Sequence, residues 1–437
     1  MKRETKTLRQ LEAEVSCMLF LSCLILCMAS CHAGRMPAGD RLAAIRIVCA
    51  FFMLPLGGMA AFWAFRNQID RGVKYMWKHH KIISRLERQL LEAGVYTVKG
   101  RLFGTVKTAE TPWAVAHFAP DFKSGRIYIA DSIQFHDRLG KIDISPSLGR
   151  YVVEQAYLTD DENHYCFDFY DTSLERRLTF GSLESFREYS GSFGDCELFI
   201  DRRTKFPLTH QLLVGQTGSG KSYALHGYLL QMLLKPAKYR LYLADPKSSS
   251  VSLLGGRISP DATADSFDGI VALLETFVSE MLKRQGEMKG LLSRKIDGDY
   301  RDFGLPPHVM VFDEFADFSL FLQTKDKKRR DHVDSLIASI VLKGRQSGFF
   351  LWVVMQQAGS NNIPTYIRDN LPLKVVLGNA EQQTYVTAFG AGADIPFRKM
   401  NPGDGVFTCP GIADKPKLCS FPTFGFDILH ELEAGVM

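Results

Sequence analysis

An α/β fold built on an open, mostly parallel sheet is predicted for the C-terminal half of this 437-residue chain by three observations. A short apolar strand, Leu212-Leu213-Val214, runs into a glycine-rich turn and then into a helix-like apolar segment that ends near Leu234. Four more apolar strands follow, Tyr239–Ala244, His308–Phe312, Phe349–Met355 and Leu373–Leu377, and uninterrupted apolar strands are what a sheet covered on both faces requires. Polar residues also stand at the carboxyl ends of three of them, as Asp245, Asp313-Glu314 and Gln356-Gln357. Open α/β sheets hold their ligands at that edge.

The glycine-rich turn reads Gly215-Gln216-Thr217-Gly218-Ser219-Gly220-Lys221-Ser222. A strand before it and a helix after it make this the order of a phosphate-binding P-loop. Glycine lets successive N–H groups turn inward toward an anion, and the following helix adds its positive end. Lys221 is placed to reach the β- and γ-phosphates of ATP, and the Ser222 hydroxyl to hold Mg²⁺.

His308–Phe312 followed by Asp313-Glu314 is a Walker B arrangement about ninety residues behind that loop. Its Asp313 would organise Mg²⁺ through water, and its Glu314 would polarise the attacking water. Alone, apolar strands ending in acids are common; behind a P-loop the pairing is specific. Asp317 reads as a helix-surface carboxylate. Gln356 can donate to a γ-phosphate or orient water and is a sensor candidate, against the plain alternative of a loop amide.

The rest of the chain supplies context. The length suggests two or three domains, and a net charge of +5 permits contact with nucleic acid or anionic lipid without demonstrating either. The nine cysteines lack metal-site spacing, and a reduced compartment suits them better than a disulfide framework. Residues 1–65 read as a tail and a two-helix transmembrane hairpin with spans at about 15–33 and 42–65. Cations precede the first span (Lys2, Arg3, Lys6, Arg9) and follow the second (Arg66, Arg71, Lys74, Lys78). That bias places the N-terminus and everything beyond residue 65 in the cytoplasm, on the cell membrane; cleavage of the first span as a signal would leave the same orientation. Residues 66–93 read as a basic juxtamembrane helix, either lying on anionic lipid or acting as a stalk. Residues 94–207 form a small strand-rich module around stretches such as Tyr96-Thr97-Val98, Arg126–Ile129 and His164–Tyr170. Residues 208–437 form the nucleotide domain.

From about Leu208 to Gly411 the chain resembles the FtsK/SpoIIIE group of DNA-pumping ATPases. The likeness is carried by GQTGSGKS (215–222), ADPKSS (244–249), MVFDEFAD (310–317), LKGRQSGFFLWVVMQQ (342–357), IPTYIRDNLPLKVVLG (363–378) and MNPGDGVF (400–407), in that order. It implies a RecA-like motor in a hexameric ring that moves DNA through its centre using ATP. Two departures stand out. Met355-Gln356-Gln357-Ala358 replaces the usual Thr-Gln-Arg-Pro, and the segment after Asp245-Pro246-Lys247 is serine-rich. About thirty residues follow Phe407, so no winged-helix sequence reader is expected. Two spans, a small module and one motor look like the conjugative coupling proteins (TcpA-like) of Gram-positive plasmids and integrative elements. That likeness implies delivery of relaxase-bound DNA to a type IV secretion channel. The alternatives are a chromosome-partitioning translocase and an FtsK-like ATPase of a type VII-like protein-export system. A ring motor needs a cation from the neighbouring subunit, and Arg345 and Arg368, expected near the nucleotide edge of the sheet, are the candidates. Lysines and arginines lining the pore would bind DNA without regard to sequence. The block Lys325–Arg330 is the most basic in the motor; a solvated charged loop is its plain alternative.

Overall fold

A computed structural model describes residues 57–102, 106–358, 363–393, 395 and 399–434, together with residues 5–7, 18, 22 and 25. The chain divides into two compact units, Met1–Leu174 and Glu175–Met437. The two expected membrane spans lie outside the described residues, apart from residues 18, 22 and 25 of the first and the helical stretch 57–65 of the second. Among the described residues, no helix is long and apolar enough to cross a membrane.

The first unit is an α+β module. Helix α1 (Val73–Glu92) is followed by a hairpin of β1 (Thr97–Leu102) and β2 (Val106–Glu110), then by β3 (Ala114–Phe118), β4 (Ser124–Ala130), β5 (Tyr151–Leu158) and β6 (His164–Asp171). The last four form an antiparallel sheet in the order β3-β4-β6-β5. Tyr75, Ile82, Ile83, Leu86 and Leu90 recur at helical spacing on α1, and they pack with Ala116, Ile127, Ile129 and Phe167 of the sheet. The expected juxtamembrane helix is therefore one layer of a folded domain. Its apolar stripe faces protein; Val73 and Trp77 are its exposed apolar residues.

The second unit starts with α2 (Leu183–Gly191) and a hairpin of β7 (Glu197–Asp201) and β8 (Thr204–Pro207). Phe180, Phe186, Phe199 and Phe206 of this stretch share a core with the P-loop helix. Residues 175–207, grouped by their strand-rich texture with the preceding module, thus lie in the unit that carries the P-loop. Next come β9 (Gln211–Gly215), α3 (Lys221–Leu234), β10 (Arg240–Ala244), α4 (Ser250–Ile258), β11 (Thr263–Ala264), α5 (Phe267–Leu292), β12 (His308–Phe312), α6 (Phe315–Gln323) and α7 (Lys327–Ser347). The chain continues through β13 (Phe349–Met355), α8 (Thr365–Asp369), β14 (Leu373–Leu377), α9 (Gln382–Phe389), β15 (Asp404–Cys409), β16 (Ala413–Ser420) and α10 (Ile428–Ala434).

Strands β9 to β16 form one eight-stranded sheet in the order β11-β10-β12-β13-β9-β14-β15-β16. The first six are parallel, and the β15–β16 hairpin adds two antiparallel strands. Alternate residues feed opposite faces. Leu213, Val311 and Val354 join α3 and α4 on one side; Leu212, Val214, Phe312 and Val353 join α5, α6 and α7 on the other. Trp352 in β13 is fully buried. Its indole N–H donates to Thr209 O at 2.9 Å, and its ring meets Tyr228 of α3 edge-on at 5.0 Å. Because β13 lies between β9 and β12, the ends Gly215, Phe312 and Met355 fall on one edge of the sheet.

Candidate active site

At that edge the chain leaves β9 through Gly215 and enters α3 at Lys221. Gly218 and Gly220 take φ of 83° and 90°, a region L-residues rarely occupy. The turn is closed by Ser219 N–H donating to Gln216 O at 3.0 Å. Helix α3 carries no side-chain cap at its N-terminus, so its first N–H groups remain available to an anion. Ser219 Oγ is buried without a hydrogen-bond partner. These features fit a polyphosphate. Ser222 lies in the first turn of α3, exposed, and with Asp313 it supplies hard oxygen ligands suited to Mg²⁺. Among the described residues no cluster of His, Cys, Asp and Glu could hold a metal alone, so a divalent ion here would need further ligands from the nucleotide and water.

The Walker B pair stands beside this loop. Lys221 Nζ lies 3.2 Å from Asp313 Oδ1 and 3.9 Å from Glu314 Oε2. Glu314 is buried and its backbone is left-handed, φ 50° and ψ 53°. Its Oε1 accepts the N–H of Gln356 at 3.2 Å, and its Oε2 lies 3.1 Å from Lys247 Nζ. Lys247 also pairs with Asp317 at 3.4 Å. Burial alone would lower the Lys247 pKa, but the carboxylates of Glu314 and Asp317 outweigh it and the net shift is upward. Asp317, expected on the helix surface, is thus half-exposed and joined to the site through Lys247.

The serine-rich segment has a definite task. Asp245, fully buried, accepts N–H bonds from Lys247 at 3.1 Å, Ser249 at 2.6 Å and Ser252 at 3.0 Å. It also accepts the Ser249 hydroxyl at 2.7 Å, which lies 3.4 Å from Asp313 Oδ2. An aspartate followed by serines is a turn and N-cap signature, so the signal for this was in the sequence. His226, one turn along α3 from Ser222, is also drawn in. Its ring is 3.5 Å from Ser250 Oγ, and burial pulls its pKa down against the attraction of Asp313.

Comparison with known proteins agrees with this geometry. Residues 195–305 match the FtsK/SpoIIIE family model. That matched stretch lies within the second unit and includes the P-loop. Over 198 residues the chain is 29% identical to the Ftsk domain-containing protein YdcQ of Bacillus subtilis, covering 45% of this chain and 40% of that protein. Over 201 residues it is 28% identical to the DNA translocase FtsK of Staphylococcus epidermidis, covering 42% and 24%. The chain thus spans less than half the length of these relatives. Among solved structures, the pCW3 conjugation coupling protein TcpA is similar at a TM-score of 0.48 and 15% identity, covering 74% of this chain and 93% of that one.

The structure brings Gly215–Ser222, Asp313, Glu314 and Gln356 together, and leaves both candidate arginines elsewhere. Arg345 ends α7 just before β13, and Arg368 lies in α8 before β14. In a parallel sheet a residue just before a strand sits at its amino edge. Strands of this length put that edge roughly 20 Å from the P-loop. The expectation that both arginines lie near the nucleotide edge is corrected accordingly: neither reaches the phosphates of its own subunit. Arg368 pairs with Asp369 at 3.0 Å. The basic block 325–330 is divided. Lys325 lies over the rings of Phe321 and Phe267, and Arg329 over Phe267 while paired with Asp268. Asp326 caps α7 by accepting from Arg329 N–H at 3.0 Å. These contacts are structural.

Proposed function

We propose that this protein is an ATP-driven DNA translocase. The observation that carries this reading is the convergence of Lys221, Asp313, Glu314 and Gln356 at the P-loop edge of a parallel sheet, within an FtsK-type domain. In the proposed mechanism the N–H groups of residues 216–222 and the Lys221 ammonium bind and orient the triphosphate. Ser222 and Asp313 would hold Mg²⁺, which supplies charge neutralisation at the β- and γ-phosphates. Glu314 accepts the proton of the attacking water, and the Gln356 main chain and Lys247 fix its carboxylate. Arg345 and Arg368 remain candidates for action in trans within a hexameric ring, which is the one place where an arginine at the amino edge can meet a phosphate.

Within this reading we place the protein at the cell membrane, anchored by residues 15–33 and 42–65 with its nucleotide domain in the cytoplasm. There it acts as the coupling protein that hands relaxase-bound DNA to a type IV secretion channel. The support is the order of parts: predicted hairpin, small α+β module, one FtsK-type motor. ATP hydrolysis by the purified full chain should rise with added single- or double-stranded DNA at low salt. Glu314→Gln should still bind ATP and lose turnover. The absence of stimulation by either DNA would remove the translocase reading. Donor cells carrying Lys221→Ala should lose plasmid transfer; undiminished mating would remove the conjugative role.

A further inference from the structure

The second unit opens at Glu175, and the segment that follows reaches the P-loop from behind. Arg177 Nη2 donates to Asp404 Oδ1 at 2.7 Å, with both side chains about one-fifth exposed. Asp404 ends the turn that leads into β15. Its carboxylate also accepts the Ser420 hydroxyl at 2.7 Å and Asn401 N–H at 2.9 Å. From the same turn, Gly403 N–H donates to Ser219 O inside the P-loop at 2.7 Å. The approach is backbone against backbone: a Cβ on Gly220 would lie 2.6 Å from Gly403 N, and a Cβ on Gly403 would lie 3.0 Å from Arg177 Nη1. Guanidinium, turn and P-loop are therefore stacked with no side chain between them.

The segment bearing Arg177 is itself fixed to the C-terminal elements. Arg176 donates to Leu418 O and faces Asp201. Thr423 N–H donates to Leu178 O, and Gly425 N–H to Phe180 O, each at 2.8 Å. The position of residues 177–180 is thus linked to Arg177, and through Gly403 to Ser219.

We propose that Arg177 and Asp404 are a positioning pair for the P-loop, through which the seating of residues 177–180 is energetically coupled to nucleotide binding. This rests on the nucleotide reading above. A charge-assisted bond to a fork donor fixes both distance and orientation. Removing it leaves Asp404 bonded to Ser420 and Asn401, so the β15–β16 hairpin persists while the turn under Ser219 loses its backing. Coupling in binding is reciprocal. If the pair strengthens nucleotide binding, nucleotide must by the same factor strengthen the seating of residues 177–180.

The test uses the full chain, a fluorescent ATP analogue, and amide exchange at Thr423 and Gly425 with and without ATPγS. Arg177→Ala should weaken nucleotide binding about 5- to 20-fold, within the usual range of such couplings, and Arg177→Lys should recover part of that loss. Nucleotide should slow exchange at Thr423 and Gly425 in the wild type and have less effect in Arg177→Ala. A merely structural arginine would lower thermal stability without this nucleotide-dependent protection. If Arg177→Ala does not fold, Arg177→Lys and Asp404→Asn carry the same comparison. Binding by Arg177→Ala, or by Asp404→Asn where Arg177→Ala does not fold, within twofold of wild type, or exchange in the wild type that ignores nucleotide, overturns the proposal. Failure of the wild type to bind nucleotide would overturn the P-loop reading as well.

Discussion

Glu314 takes a backbone conformation that costs a non-glycine residue about 1 kcal/mol. Its carboxylate is nonetheless held from three sides by Lys247, Lys221 and the Gln356 N–H. Strain at a buried carboxylate beside a phosphate cradle is tolerated where the geometry serves chemistry. It also gives a measurement independent of catalysis. Glu314→Gly and Glu314→Ala lose the same ion pairs, but only glycine relaxes the left-handed backbone. Glu314→Gly should therefore be the more stable of the two in urea unfolding by about 1 kcal/mol; equal midpoints would show that the backbone there is unstrained. At this scale the sequence announced Lys221, Asp313 and Glu314, because each belongs to a short motif of fixed order. Lys247, Gly403 and Arg177 were not legible as site residues, since their partners lie 67, 184 and 227 positions away and spacing carries no information at that separation.

Among the elements, apolar runs located the strands well: His308–Phe312, Phe349–Met355 and Leu373–Leu377 appear with the expected bounds. Which edge a loop residue occupies was harder to read. It depends on whether the residue precedes or follows a parallel strand, and Arg345 and Arg368 were misplaced for that reason. The amino edge has its own chemistry. His210 is buried ahead of β9, with Nδ1 accepting Leu351 N–H at 2.9 Å. Burial, and then the Arg345 charge, lower its pKa to about 4. His308 opens β12 and accepts from Arg284 at 2.8 Å. Burial, then Arg284 and Arg240, lower its pKa to about 3. In the unfolded chain both rings take a proton near pH 6.5. Below that value the unfolded state holds more protons than the folded one, so stability falls as pH drops from about 6.5 toward 4 for His210 and toward 3 for His308. In the shared window the two rings together contribute a slope of about 2.7 kcal/mol per pH unit. Asparagine offers an oxygen near the position of Nδ1, so His210→Asn should keep the bond to Leu351 and lose about half of this slope. An unchanged slope between pH 6.5 and 4.5 would exclude His210 as its source.

On the scale of the whole molecule, the two units have separate cores. One lies wholly between Tyr75 and Phe169, and the others begin at Leu178. The junction was not legible because the phenylalanine-rich stretch 178–206 has the strand texture of the module before it, while its side chains pack on α3 of the unit after it. Composition reports the kind of element; only the packing reports which core receives it. The same division separates the tryptophans. Of the four, Trp63, Trp77 and Trp113 precede the junction and Trp352 alone follows it. Trp77 and Trp113 are 57% and 56% exposed, whereas Trp352 is sealed inside the strand beside the P-loop strand, edge-on to Tyr228. The molecule thus carries its own colour code. A soluble quencher such as acrylamide will extinguish exposed indoles of the first unit and spare the one in the second. With Trp63 replaced by phenylalanine, the blue emission that survives comes from a single ring one strand away from the P-loop.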